Sequence, residues 1–432
     1  MPGQRIKSAG ETCPVHSLTG PSRVQRLFAL GLALVVAMSV LWFFAVLGGS
    51  GIAVGGAVLF SLGFLGVVGW TVRKVVRWRA APWLRHFLAC RPSHPRPDRP
   101  LDLCFLFVDH YEPDFGGADL TLQLARVQRW QVAYERAIQG HVDSDGSCPQ
   151  HTWFLPIDLV HERTVPVVAS WPGRGWGEVE YHLHHDPSMD EHAIREQIMQ
   201  DIGRLQQCGA MSGGRYGFVH GMFALAGGDD RYCRAPNEID VLLETGCYAD
   251  FSFPSLGTPA QPRQVNSIFY ARSNGRPKPY DTGPDAAVGQ KHEGLLIVPG
   301  PMCIGLFPRL MDDAHVEPHH LPHPRRIARW VSAHVHVRGR PNWVFISVHS
   351  HTAKEDAQDA LFAGPMQNLW QAMEQRFRGS NARLHYLTAR EAYNIIKAAE
   401  AGHDGNPGDY RNFEIGPPLN RTRRIQAGAG PK

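Results

Sequence analysis

No two of the eight cysteines stand in a CxxC pair; they are scattered at Cys13, Cys90, Cys104, Cys148, Cys208, Cys233, Cys247 and Cys303. Several lie inside apolar runs, so neither a zinc ribbon nor a disulfide scaffold fits. Charge of one sign is also missing. Lys+Arg 44 against Asp+Glu 40 leaves a formal +4, too balanced for a nucleic-acid partner. No internal repeat divides the 432 residues. What the chain has in quantity is histidine, 23 of them, so a bound metal is expected on nitrogen and oxygen rather than sulfur.

Composition shifts sharply along the N-terminal part. Residues 27–47 and 53–72 are charge-free, and each is long enough to span a bilayer, which predicts a two-helix transmembrane hairpin. Arg5, Lys7, Arg23 and Arg26 precede the first run; Arg73, Lys74, Arg77, Arg79 and Arg85 follow the second. By the positive-inside rule both ends are then cytoplasmic, and the expected location is a multi-pass inner-membrane protein with a cytoplasmic catalytic domain. Residues 1–26 read as a basic tail. The Pro- and Arg-rich stretch in 73–100 reads as an extended linker, 101–402 as one domain, and 403–432 as a flexible tail.

Short apolar runs predict strands at 101–109, 151–158, 178–185, 216–223, 247–253, 294–300, 343–350 and 383–388. Helical patterns fall at 120–140, 189–209, 366–377 and 389–401. Alternating strand and helix implies α/β architecture with a parallel sheet, here a (β/α) barrel of seven or eight strands. In such a barrel the C-terminal ends of the strands converge on one face, where active sites are built.

Polar residues collect at those ends. Asp109 and His110 follow the first strand; His182, His184 and Asp186 end the third; His220 closes the fourth; Asp250 lies in the fifth; His349 and His351 close the seventh. Side chains alternate along a strand, so His182, His184 and Asp186 can share a face while His185 points to the other. Three nitrogen and oxygen ligands on one face suit a divalent cation such as Zn²⁺. Trp171, Trp176 and Tyr111 are candidates for stacking on sugar rings at the rim, or for loop packing. The histidine run at 315–324, broken by prolines, reads as a loop apart from the metal.

With these residues placed, residues 101–400 resemble the polysaccharide deacetylase superfamily, carbohydrate esterase family 4 with its NodB-homology barrel. "LFVDHYEP" is similar to that family's T-F-D-D-G strand, keeping Asp109 and placing His110 second. "EVEYHLHHD" is similar to the second motif, with His182 in the first histidine position and Asp186 in the second. "VFISVHSH" is similar to the last motif, with His349 as its catalytic histidine. The R-x-P-Y motif has no counterpart, and "FVHGMF" offers His220 in its place.

The resemblance implies a metal-dependent deacetylase acting on an acetylated polysaccharide or its lipid-linked precursor. Asp109 would be the base, His349 the acid, and Asp250 its orienting carboxylate. His110, His182, His184 and Asp186 would hold the metal, with His220 and His351 near the substrate. Polysaccharide-synthesis proteins are expected partners. Two other readings stay open: a glycoside hydrolase using a carboxylate pair from Glu112, Asp114 and Asp250, and a non-catalytic glycan-binding or scaffold barrel.

Overall fold

The structure, a computed structural model, describes residues 62–63, 65–66, 69–70, 72–89, 95–211, 213–304, 311–379 and 381–421. The chain divides into two compact units, Met1–Val72 and Arg73–Lys432. In the first, the described residues are helical. Among the described residues no helix is long and apolar enough to cross a membrane. This corrects the expected transmembrane hairpin and the multi-pass inner-membrane location, since a span needs about 20 apolar residues in one helix. The apolar run 27–47 lies outside the described residues, as does much of 53–72.

The second unit is mixed α/β with a mostly parallel sheet. Its strands are β1 (Leu101–His110), β2 (His151–Leu155), β3 (Gly177–Leu183), β4 (Tyr216–His220), β5 (Cys247–Asp250), β6 (Phe269–Ala271), β7 (Leu295–Ile297), β8 (Cys303–Ile304), β9 (Met311–Asp312), β10 (Trp343–Ser350) and β11 (Ala382–Leu387). Its helices are α1 (Ala80–Ala89), α2 (Leu120–Ala137), α3 (Val165–Ala169), α4 (Glu191–Gln207), α5 (Glu238–Glu244), α6 (Pro324–Ala333), α7 (Glu355–Phe362), α8 (Pro365–Arg376) and α9 (Ala389–Glu400). The main sheet runs β10-β1-β2-β3-β4-β5-β7-β6, parallel except for β6. β11 also pairs with β1, along Leu101–Leu106, leaving Val108–His110 for β2.

Burial on both faces explains the near-continuous apolar runs. Leu103, Phe105 and Phe107 of β1 pack with Trp130 of α2, Ile198 of α4 and Met373 of α8 in one core. Cys104, Leu106 and Val108 face a second core closed by Ile395 and Ile396 of α9. Helix starts are fixed locally: Asp119 and Asp190 accept backbone N–H bonds from Leu122 and Ala193, each at 2.9 Å, and Thr388 with Glu391 forms a capping box.

Neither flank is loose. Trp83 of α1 is buried against Val265, Met302 and Met311, and Asn342 holds the Arg96, Arg99 and Pro100 carbonyls, so the described residues 73–89 and 95–100 are docked rather than an extended linker. The expected tail is likewise packed through residue 421. The buried Arg411 guanidinium meets Asp145 at 2.7 Å, Glu391 at 3.0 Å and Asp143 at 3.1 Å, and donates to the Tyr386 carbonyl at 2.6 Å. The stretch is too polar to read as core, because these ion pairs, not apolar periodicity, hold it. Arg411→Ala would remove the buried cation that three carboxylates share and should cost about 3–5 kcal/mol. A urea midpoint that barely moves would show that the segment contributes nothing to the fold.

Candidate metal centre and its cavity

His110 closes β1, and Glu112 lies two residues on, on the same side of the still-extended chain. The Glu112 Oε1 atom is 3.1 Å from Nε2 of His182 and 3.0 Å from Nε2 of His184, and those two nitrogens are 2.8 Å apart. His182 Nδ1 donates to the Val219 carbonyl at 2.7 Å, which leaves Nε2 as a lone pair. A lone pair, a carboxylate and a second imidazole thus converge. His110 Nε2 is buried with no hydrogen-bond partner, and its ring centre is 5.1 Å from that of His182. One ligand atom each from His110, Glu112 and His182 lies within 4.8 Å of the others. Unprotonated imidazole nitrogens and a carboxylate, one of them orphaned, are the donor set a divalent cation takes.

Electrostatics agree with that donor set. Burial, reinforced by the neighbouring histidines, pushes His110 well below the usual imidazole range, so it is neutral. Burial also lowers His182 despite its bond to Glu112. For Glu112 burial acts upward, but the His182 and His184 bonds outweigh it and keep the carboxylate charged. Gly221 makes room for this cluster: a Cβ there would come within 2.6 Å of the His184 ring.

The facing wall comes from β10 and the segment beside it. Val316 N–H donates to the His349 carbonyl at 2.7 Å and His349 N–H to the Ala314 carbonyl at 3.2 Å, so 314–316 runs along β10 as an added strand-like edge. This places the His315 ring 5.5 Å from that of His349 and brings Glu317 to His351, whose Nδ1 is 2.7 Å from Oε1. His349, buried, is pushed down to about 3 and is neutral. Between the two walls lies a cavity of about 520 Å³, lined by His110, Glu112, His184, His351, Phe115 and Phe223.

Of the residues singled out in sequence, the structure brings together His110, His182, His184, His349 and His351. Four others lie elsewhere. Asp109 faces the helices, where it accepts from the Thr352 N–H at 2.8 Å, from the Thr352 hydroxyl, and bonds His151 Nε2 at 2.8 Å. Adjacent strand residues cannot share a face, so the base expected beside His110 is turned away by alternation. Asp186 is exposed and binds Ser188, because β3 ends at Leu183 and the alternation stops there. Asp250 accepts from the Ser252 hydroxyl at 2.7 Å, and burial pushes it up to about 7; it does not reach His349. His220 turns to His185, 3.0 Å between Nε2 atoms. Trp171, Trp176 and Tyr111 are buried core residues.

Glu112, His315 and Glu317 are the site residues the sequence reading left out of the metal set. Glu112 carried a usable signal, since residues 110 and 112 share a side of an extended chain. No family model matches the chain, and no curated protein matches it. Among solved structures it is similar to the 4-alpha-glucanotransferase of Thermococcus litoralis, at a TM-score of 0.37 and 10% identity over 67% of this chain. The match spans 39% of that protein's length, and the likeness is too slight to bear on activity.

Below His182 on the same strand face sits Glu180, bonded by the Gly217 N–H at 2.6 Å and the Tyr248 hydroxyl at 2.5 Å. Burial outweighs both bonds and pushes the carboxyl up to about 8. A carboxyl raised in the folded state contributes stability that is full below its unfolded value and lost as pH rises to the folded one. Glu180 therefore costs stability between roughly pH 4.5 and 8, at up to about 1.4 kcal/mol per pH unit. Glu180→Gln should flatten that slope, with the Tyr248 hydroxyl turning to accept from the amide. Denaturation midpoints of equal pH dependence in both proteins would contradict the assignment.

Proposed function

We propose that the chain is a metal-dependent hydrolase that removes acetyl groups from carbohydrate, built on a (β/α) barrel. The barrel reading is supported by the run of parallel strands and by Gly300, beyond β7, whose missing Cβ would sit 2.4 Å from the Ser347 carbonyl of β10. The two ends of the parallel run thus approach each other. The observation that carries the function is the buried convergence of His110, Glu112 and His182 at the mouth of a cavity. The acetylated carbohydrate comes from the motif resemblance, and a cavity of about 520 Å³ admits a sugar unit.

His110, Glu112 and His182, with His184 beside them, would hold the cation, and the set of nitrogen and oxygen donors suits Zn²⁺. Bound there, the cation would polarise an acetyl carbonyl as a Lewis acid. The chain's own proton carrier is His351. Its Nδ1–H donates to Glu317, which fixes the tautomer and leaves Nε2 as a base at the cavity wall. Water adds to the acetyl carbon as His351 takes its proton. The same nitrogen then returns that proton to the leaving amine as the C–N bond breaks, giving acetic acid and the amine, which exchange the acid's proton to leave acetate and the ammonium form. Phe115 and Phe223 offer apolar faces to the sugar.

The test is acetate release from an N-acetylated oligosaccharide by the purified full chain, with metal content measured alongside. His351→Asn should keep the metal and lower turnover by at least about a hundredfold. Asp109→Asn, although in the position of the resembled family's base, should keep metal and turnover per folded molecule. If the metal-loaded wild type releases no acetate from N- or O-acetylated oligosaccharides, the proposal fails.

A further inference from the structure

A second convergence of ligand-type side chains lies on the other face of the same strand ends. His185, just past β3, and His220, the last residue of β4, point their Nε2 atoms at each other across 3.0 Å. Glu238, at the start of α5, places Oε1 3.4 Å from both nitrogens, and this buried oxygen has no well-aligned hydrogen bond. Cys233 completes the group, with Sγ 3.5 Å from the other Glu238 oxygen. All four residues are buried, and one ligand atom from each falls within 4.8 Å of the rest.

The hydrogen bonds around the cluster decide what it can hold. His220 Nδ1 donates to the Gly221 carbonyl at 2.5 Å, and His185 Nδ1 faces the Asp186 carbonyl at 3.3 Å. With its Nδ1 donating, His220 presents an Nε2 lone pair, and His185 Nε2 lies between that lone pair and the Glu238 carboxylate oxygen. Cys233 Sγ accepts the Gly227 N–H at 3.2 Å, and its S–H is placed to donate to Glu238 Oε2 at 3.5 Å, a proton that a bound cation would displace. Glu238 Oε2 is taken by the Ala226 N–H at 2.6 Å, which leaves Oε1 for another partner. Two imidazole nitrogens, a sulfur and a carboxylate oxygen are thus crowded at one buried point, where a cation could take the place of the protons they otherwise share.

We propose that His185, His220, Cys233 and Glu238 bind a second, structural metal ion, of the class that takes one thiolate, two imidazoles and a carboxylate, with Zn²⁺ the best fit. Zinc bonds of about 2.0–2.3 Å in a tetrahedron put ligand atoms roughly 3.3–3.8 Å apart. The nitrogen–oxygen separations of 3.4 Å fall in that range, and the 3.0 Å between nitrogens needs only a small spread. All four positions are filled by protein and none is exposed, which marks a structural rather than a catalytic centre. Its mechanical task is visible in the backbone. Between His220 and Glu238 the chain passes through Met222, Phe223 and Ala226 at φ of 54°, 61° and 44°, a region non-glycine residues avoid. Met222 and Phe223 line the cavity, so the ion would clamp to the sheet a strained loop that shapes the mouth.

The mouth ligands contain no sulfur, so sulfur ligation separates the two centres. The full-length chain loaded with Co²⁺ should show a thiolate-to-cobalt charge-transfer band. That band should vanish in Cys233→Ser and persist in His182→Ala, which strips the mouth. With zinc, wild type should hold two equivalents and His182→Ala one. If Cys233→Ser does not fold, zinc-edge X-ray absorption on the wild type decides, through a sulfur shell at about 2.3 Å. Absence of any sulfur ligand in the loaded wild type, or a charge-transfer band that survives in folded Cys233→Ser, overturns the proposal. Neither readout depends on acetate release, so failure of the hydrolase reading would leave this one standing.

Discussion

The period of two along doubly buried parallel strands governs everything polar in this molecule. A strand covered on both faces has no solvent side, so each side chain goes to one buried core or the other. Polar residues are tolerated only where a partner waits on their side. Asp109 finds His151 and Thr352 among the helices, whereas its neighbour His110 faces the interior and meets His182, His349 and His351. Two adjacent residues that read as one motif are thereby separated, one hydrogen-bonded to His151 and Thr352 and the other set among histidines at the cavity.

The same rule stacks charge beneath the mouth. Glu178, Glu180 and His182 share the interior side of β3, so an acidic column descends from the metal-type ligands. Each level is compensated differently. Glu180 is raised in pKa by burial, while Glu178 is paired with Arg390 at 2.8 Å and with Arg421. Arg390 in turn donates to the Arg411 and Ile415 carbonyls, and Arg411 reaches Asp143 and Asp145. The C-terminal segment is therefore fastened by satisfying charges the sheet would otherwise leave bare.

How far the sequence was legible follows from the same physics. Strand positions could be read because a buried parallel strand is an apolar run, and the runs at 101–109 and 343–350 coincide with β1 and β10 to within a residue. Helices α2, α4, α8 and α9 carried their own periodicity, and α2, α4 and α9 their caps. The part played by 315–324 could not be read, because residues 314–316 acquire their strand-like role only by pairing with His349, 34 residues on from His315. Nothing local distinguishes His315 or Glu317 from loop residues. The docked segment 403–421 was equally opaque, since its partners are charges spread from Asp143 to Glu391. Asp186 misled for a different reason: alternation was extended past Leu183, where the strand had already ended.

The end of β3 shows what a short histidine-rich stretch can do when alternation is read only as far as the strand persists. His182 is inside it, and His184, just beyond, folds back over Gly221 to join Glu112. His185 turns the other way and meets His220, which alternation has placed on the helix side of β4. One four-residue segment, 182–185, thus supplies histidines to two groups with opposite character. The first opens onto a cavity; the second is buried in protein. The Cβ-free position at Gly221 lies between them, directly after His220 and against the His184 ring. Any larger residue there would displace His184 from Glu112, and its carbonyl is the acceptor that sets the His220 tautomer. A single glycine therefore joins the geometry of the open group to that of the closed one.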